Sequence, residues 1–237
     1  MPHEFPLPEG RPPPVLNQAP TPDRPLSGLT VLVVEDSRFA CEALRLLCNR
    51  LGARMRRAET LEAAGAHLRL YRPDVVMVDI GLPDGPGTTL IAGLARTGPA
   101  RPLILGMSGE DGGETLARSA GAAGYVAKPL ESLSAFRNLV VSLLPERRWL
   151  GALPAPAAVL PAPDPLALRD DLARAAARLA EAPFAVDAYL AGFVTGLARA
   201  THDPTLERAA RGPVAQLAPV LEHRLAAFPS GQAFDMT

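Results

Sequence analysis

The sequence carries almost no net charge, no long apolar run and only two cysteines, and each shortage excludes something. A formal net charge of −1 gives no global attraction to nucleic acid or to an anionic membrane. No run of 18 apolar residues occurs and no basic-then-apolar signal opens the chain, so a soluble, cytoplasmic protein with no membrane partner is expected. Cys41 and Cys48 stand seven apart in a stretch of helical periodicity. That spacing puts them on one face, about 10 Å apart along the axis. The separation is too great for a disulfide, so both are expected to be buried, reduced thiols. Aromatic residues are sparse at 5%, while 48% apolar and 21% charged residues are ordinary for a globular protein. A chain of 237 residues suffices for one large domain or two modest ones.

Proline is plentiful, with 26 residues unevenly placed. Nine fall in residues 1–28, around "RPPPV", where no helical or strand period is visible. This reads as a disordered or polyproline-like leader. Six more fall in 145–165 and mark residues 145–163 as a stiff linker.

Between them, residues 29–144 alternate regularly. Apolar strands are expected at 29–35, 53–59, 74–79, 101–108 and 123–129, and helices at 37–52, 60–71, 87–97, 113–121 and 132–144. Ser37 and Gly52 fit the cap and stop of the first helix. Its buried face is expected to carry Phe39, Ala43, Leu46 and Leu47. Five strands alternating with five helices through short loops argue for an α/β domain, a doubly wound five-stranded parallel sheet. Beyond the linker the strands stop. Residues 164–228 show helical periods only, with Leu168, Leu172, Ala175 and Leu179 on one face and Leu190, Phe193, Val194 and Leu197 on the next. They form a small all-α C-terminal module, followed by a tail at 229–237.

The stretch "PDVVMVDIGLPDGPG" (73–87) places Asp79 at the tip of a fully apolar strand, before a loop of glycines and prolines. A carboxylate there is costly unless it is paired or binds a metal. In an open α/β sheet, ligands bind beyond the carboxyl ends of the strands. Those ends carry Glu35-Asp36, Asp79, Ser108 and Lys128. Three converging carboxylates repel one another. A hard divalent cation such as Mg²⁺ relieves that repulsion through oxygen ligands. Lys128 adds a second positive charge and Ser108 a hydroxyl, a set suited to handling a phosphoryl group.

The fragments "VLVVEDS", "PDVVMVDIGLPDGPG", "LILGMSG" and "GAAGYVAKPL" resemble the receiver domain of bacterial two-component response regulators. The resemblance covers residues 29–144 and implies a flavodoxin-like fold with strand order 2-1-3-4-5. It implies that Asp79 accepts a phosphoryl group from a histidine kinase or phosphotransfer protein. Mg²⁺ would be held by Glu35, Asp36, Asp79 and the backbone carbonyl of Gly81. Lys128 would pair with Asp79 or its phosphate, and Ser108 and Tyr125 would act as switch residues. Such a domain assists only its own phosphorylation and dephosphorylation and is not otherwise an enzyme. Two positions depart from the family pattern: Gly81 replaces a side chain at the site mouth, and Gly109 is expected to loosen the loop after Ser108.

The helical module carries no motif as telling. Residues 164–237 hold seven arginines, no lysine and nine carboxylates, a balance of −2 that argues against a DNA-binding output domain. Of its histidines, His202 precedes Asp-Pro at a helix end, and His223 sits mid-helix in "LEHRL" without the surroundings of a phosphotransfer site. The Ala-rich faces and the Gly192–Gly196 spacing permit close helix approach. A homodimerisation or partner-docking bundle is therefore the expectation. A divergent DNA-binding domain and a histidine phosphotransfer-like bundle stand as alternatives.

Overall fold

The computed structural model describes residues 19–98, 101–130, 132–144, 163–181 and 186–228. The main sheet is built from β1 (Thr30–Val34), β2 (Arg54–Ala58), β3 (Val75–Asp79), β6 (Leu103–Ser108) and β7 (Gly124–Ala127). Its order is β2-β1-β3-β6-β7 and every pairing is parallel. Counted among themselves, these five strands run in the order 2-1-3-4-5, as expected. Two short strands, β4 (Gly81–Leu82) and β5 (Gly85–Pro86), make a small antiparallel pair after β3.

The central strand is buried at all five positions, which explains its unbroken apolar run. Side chains alternate between the two faces of the sheet. Val31, Val33, Val75 and Met77 pack with α1 (Arg38–Leu51) and α5 (Leu133–Leu143). Leu32, Val34, Val76 and Val78 pack with α2 (Leu61–Leu70), α3 (Gly87–Ala95) and α4 (Gly113–Ser119). Fully burying such aliphatic side chains stabilises the fold by about 1.5–3 kcal/mol each.

Helix α1 starts where Ser37 Oγ accepts from the Ala40 amide at 3.0 Å and stops at Gly52, with φ 89°. Its buried stripe is Cys41, Leu44, Leu47, Cys48 and Leu51 rather than the set read from the sequence, of which only Leu47 is buried. The reason is that α1 packs on two sides. The stripe meets the sheet, while Phe39 packs into the core of the C-terminal helices. The leader also ends earlier than expected. Leu26 is fully buried in the core beside α1, and its amide donates to the Leu51 carbonyl at 2.9 Å. The remainder of the leader (1–18), the linker from 145 to 162 and the tail (229–237) lie outside the described residues.

The C-terminal module consists of α6 (Pro165–Glu181), α7 (Ala188–Ala200), α8 (Pro204–Ala210) and α9 (Val214–Ala226). Leu172, Leu179, Leu190, Val194, Leu217 and Leu221 form its core. Asp187 and Asp203 cap α7 and α8 through their side chains. The module packs against α1 and the β4 segment, across the carboxyl ends of the strands.

Candidate functional site

The sheet register places the candidate residues. Val34 lies beside Val78, Asp79 beside Met107, and Ser108 beside Ala127. One step further along the chain brings Glu35, Asp79, Ser108 and Lys128 to a common edge. Gly87, at the start of α3, lets that helix approach β3 closely, because a Cβ there would fall 1.9 Å from the Asp79 carbonyl oxygen. The turn between β4 and β5 contributes Asp84, whose carboxylate accepts from the amides of Leu61 and Glu62 at 3.0 and 3.1 Å and so anchors α2.

Glu35, Asp36 and Asp79 each offer an oxygen, and the three oxygens lie within 4.8 Å of one another. All three residues are buried, as is Ser108. Lys128, the single lysine of the chain, bridges two of them, with Nζ 2.8 Å from Glu35 Oε2 and 2.9 Å from Asp79 Oδ2. Burial pushes the Glu35 carboxyl well above the usual range against the pull of Lys128. Burial works to lower the Lys128 pKa, but Asp79 and Glu35 outweigh it and hold the ammonium charged. Burial raises the Asp36 carboxyl as well, and a hydrogen bond from Tyr189 opposes that rise.

One lysine cannot neutralise three carboxylates. The donor set is all oxygen and tightly clustered, which fits a hard divalent cation. Asp36 instead draws its compensation here from the C-terminal module. Tyr189 Oη donates to Asp36 Oδ2 at 2.5 Å, and Arg174 Nη1 lies 3.5 Å from the same oxygen. Arg57, from β2, donates to the Asp36 backbone carbonyl at 2.9 Å.

Ser108 Oγ accepts from the Glu110 amide at 3.0 Å. The Ser108 carbonyl accepts from Tyr125 Oη at 3.0 Å and from the Lys128 amide at 2.9 Å. Tyr125 therefore ties β7 to the end of β6. Gly81 is exposed, and a Cβ there would meet nothing within 4 Å, so its lack of a side chain leaves open space at the site mouth. The loop after Ser108 is held by the module rather than left loose, because Arg199 donates to the Gly109 carbonyl.

Above Asp79 lies a cavity of about 350 Å³. Asp79, Ser108 and Lys128 line its floor, and Tyr189, Gly192 and Phe193 of α7 line the opposite wall.

The comparisons with known proteins agree with this geometry. The family profile described as the response regulator receiver domain matches residues 31–139. The KDP operon transcriptional regulatory protein KdpE of Escherichia coli K12 is 33% identical over 99 residues, covering 42% of this chain and 44% of that protein. This chain carries a response regulator receiver domain. The transcriptional regulatory protein PhoP of Escherichia coli K12 is 35% identical over 104 residues, covering 43% of this chain and 46% of that protein. The chain thus spans under half the length of these curated relatives. A solved structure of a putative response regulator from Chloroflexus aurantiacus is 28% identical, covers 48% of this chain and 96% of its own, and has a TM-score of 0.45.

The receiver domain brings together every site residue named from the sequence: Glu35, Asp36, Asp79, Gly81, Ser108, Tyr125 and Lys128. The sequence reading missed the module's contribution. Asp171 is fully buried and caps α1 from outside the receiver, accepting from Ser37 Oγ at 2.8 Å and from the amides of Arg38 and Phe39 at 3.0 Å each. Arg174 donates to Asp171 at 2.6 Å and stacks over Phe193, while Arg178 stacks over Tyr189. Only Gly192 of the Gly192–Gly196 pair stands at a close approach, and it is to the receiver loop: a Cβ there would lie 2.6 Å from Glu110 Oε1, whereas a Cβ on Gly196 would meet nothing within 4 Å.

Proposed function

We propose that the chain is a cytoplasmic response regulator in which Asp79 accepts a phosphoryl group from a histidine kinase or phosphotransfer protein. The observation that carries this reading is Lys128 Nζ bridging Asp79 and Glu35 at 2.9 and 2.8 Å beside a third carboxylate. An Asp79 oxygen would attack phosphorus, forming an acyl phosphate as the bond to the donor's imidazole nitrogen breaks. Lys128 is placed to hold the incoming phosphoryl oxygens, and Ser108 Oγ to turn toward them. Glu35, Asp36, Asp79 and the Gly81 carbonyl are the groups that would hold Mg²⁺, which neutralises phosphoryl charge when bound. The chain would assist only its own phosphorylation and dephosphorylation.

The output favoured is a change in protein association through α6–α9, with a second copy or a downstream protein as partner. The −2 balance of residues 164–237 opposes duplex binding. The relatives are named transcriptional regulatory proteins, which motivates the alternative of a divergent DNA-binding output. Against a phosphotransfer role, His202 lies in the turn between α7 and α8, and neither it nor His223 lines the cavity over Asp79. The test is incubation with acetyl phosphate and Mg²⁺, followed by intact mass. One phosphoryl group on the wild type and none on Asp79→Asn supports the reading, while equal labelling of both refutes it.

A further inference from the structure

Asp36 Oδ2 is claimed by two groups that lie far from it in sequence. Tyr189 Oη donates to it at 2.5 Å, across 153 residues, and Arg174 Nη1 stands 3.5 Å away. The same carboxylate belongs to the three-residue oxygen cluster. A dication held there would carry its charge into the space where a guanidinium and a phenolic hydrogen now sit. Both are electropositive, so a dication on this carboxylate would repel them.

We propose that α6 and α7 form a cation-released lid over the receiver site: Tyr189 and Arg174 occupy Asp36 in the closed form, and Mg²⁺ binding displaces them. The proposal rests on reading the acidic cluster as the Mg²⁺ site. Three anchors hold the lid shut, and each uses a different part of the receiver. Asp171 caps the start of α1, Tyr189 and Arg174 hold Asp36, and Arg199 holds the Gly109 carbonyl in the loop after Ser108. The second and third anchors grip the two loops that flank Asp79. Because α7 walls the cavity above Asp79, an open lid is also what would give a protein donor's histidine access to the carboxylate.

Coupling of this kind is reciprocal. If docking weakens Mg²⁺ binding by a given factor, Mg²⁺ weakens docking by the same factor, about five-fold or more for a contact of this strength. Arg174 and Tyr189 are therefore positioning residues that set metal affinity without being metal ligands.

The test uses the full chain with Mg²⁺ as the probe. Calorimetric titration compares the wild type with Tyr189→Phe and Arg174→Gln, and hydrogen exchange follows the Arg38 and Phe39 amides and helix α7 with and without Mg²⁺. The expected results are tighter Mg²⁺ binding in both variants, by about five-fold or more, and faster exchange at those sites when Mg²⁺ is added to the wild type. Equal affinity in all three proteins with unchanged exchange overturns the lid and leaves the metal site standing. Failure of all three to bind millimolar Mg²⁺ overturns the metal reading itself, and the lid with it. The exchange comparison on the wild type needs no variant to fold.

Discussion

Tyr189, on the C-terminal module, donates a 2.5 Å hydrogen bond to the carboxylate of Asp36 at the end of the first receiver strand. Burial, then the Asp36 contact, pushes the Tyr189 phenol above its ordinary range. The phenol is therefore a donor to Asp36 at neutral pH. The receiver site and the helical module accordingly share a polar network rather than a purely apolar seam. Asp36 receives from the module part of the compensation that Asp79 and Glu35 receive from Lys128.

Removing Lys128 leaves two buried carboxylates without their cation. Lys128→Ala is expected to cost about 3–5 kcal/mol in urea unfolding at neutral pH. The loss should grow as pH rises through about 8, where the Glu35 carboxyl, raised to about 8 by burial, gives up its proton and needs the cation. A loss below about 1 kcal/mol, the range of an exposed pair, or one independent of pH, would mean that the bridge does not stabilise the fold.

The strand-end cluster was legible because each member closes an apolar run: Glu35 after "TVLVV", Asp79 within "VVMVD", Ser108 within "LILGMS" and Lys128 after "GYVA". Sheet topology then forces such ends together. The module's docking was not legible for a physical reason. Asp171 and Arg174 stand three apart on a helix, a spacing that also describes a solvated charge pair. Tyr189 carries no local signal that its hydroxyl reaches another domain. Of the Gly192–Gly196 pair only Gly192 marks a close approach, and a spacing of small residues does not say what approaches. The period on α1 misled because Phe39 and Leu47 face different neighbours, and periodicity marks apolar positions without dividing them between two cores.

The cap that Asp171 supplies to α1 gives a second expectation. Asp171→Ala removes the acceptor for Ser37 Oγ and for the Arg38 and Phe39 amides. Loss of one side-chain cap costs about 0.5–2 kcal/mol. Solution scattering should show a more extended chain, and those two amides should exchange faster. Unchanged scattering and unchanged exchange would show that this contact does not hold the module in place.

The two thiols are expected to be silent in the folded protein. Burial pushes the Cys48 thiol from 9.0 up to about 12 and raises Cys41 as well. The folded chain therefore holds these protons where the unfolded chain releases them. The Cys48 contribution to stability is fully present below about pH 9 and is lost as pH rises through about 12. A thiol reagent should react only on unfolding, and the alkaline fall in the urea midpoint should be smaller in Cys48→Ala. Rapid labelling of both thiols in the native state at neutral pH would contradict this.

The central claim is that Asp79 is the phosphoacceptor, and localising the phosphoryl group tests it most directly. Protein labelled with acetyl phosphate and Mg²⁺ is reduced with borohydride, which converts an aspartyl phosphate to homoserine, and is then mapped by peptide mass. The account predicts homoserine at position 79 and nowhere else, with the signal lost in Asp79→Asn. Homoserine at Asp36, or a phosphoryl group retained on His202 or His223 with position 79 unmodified, would contradict it.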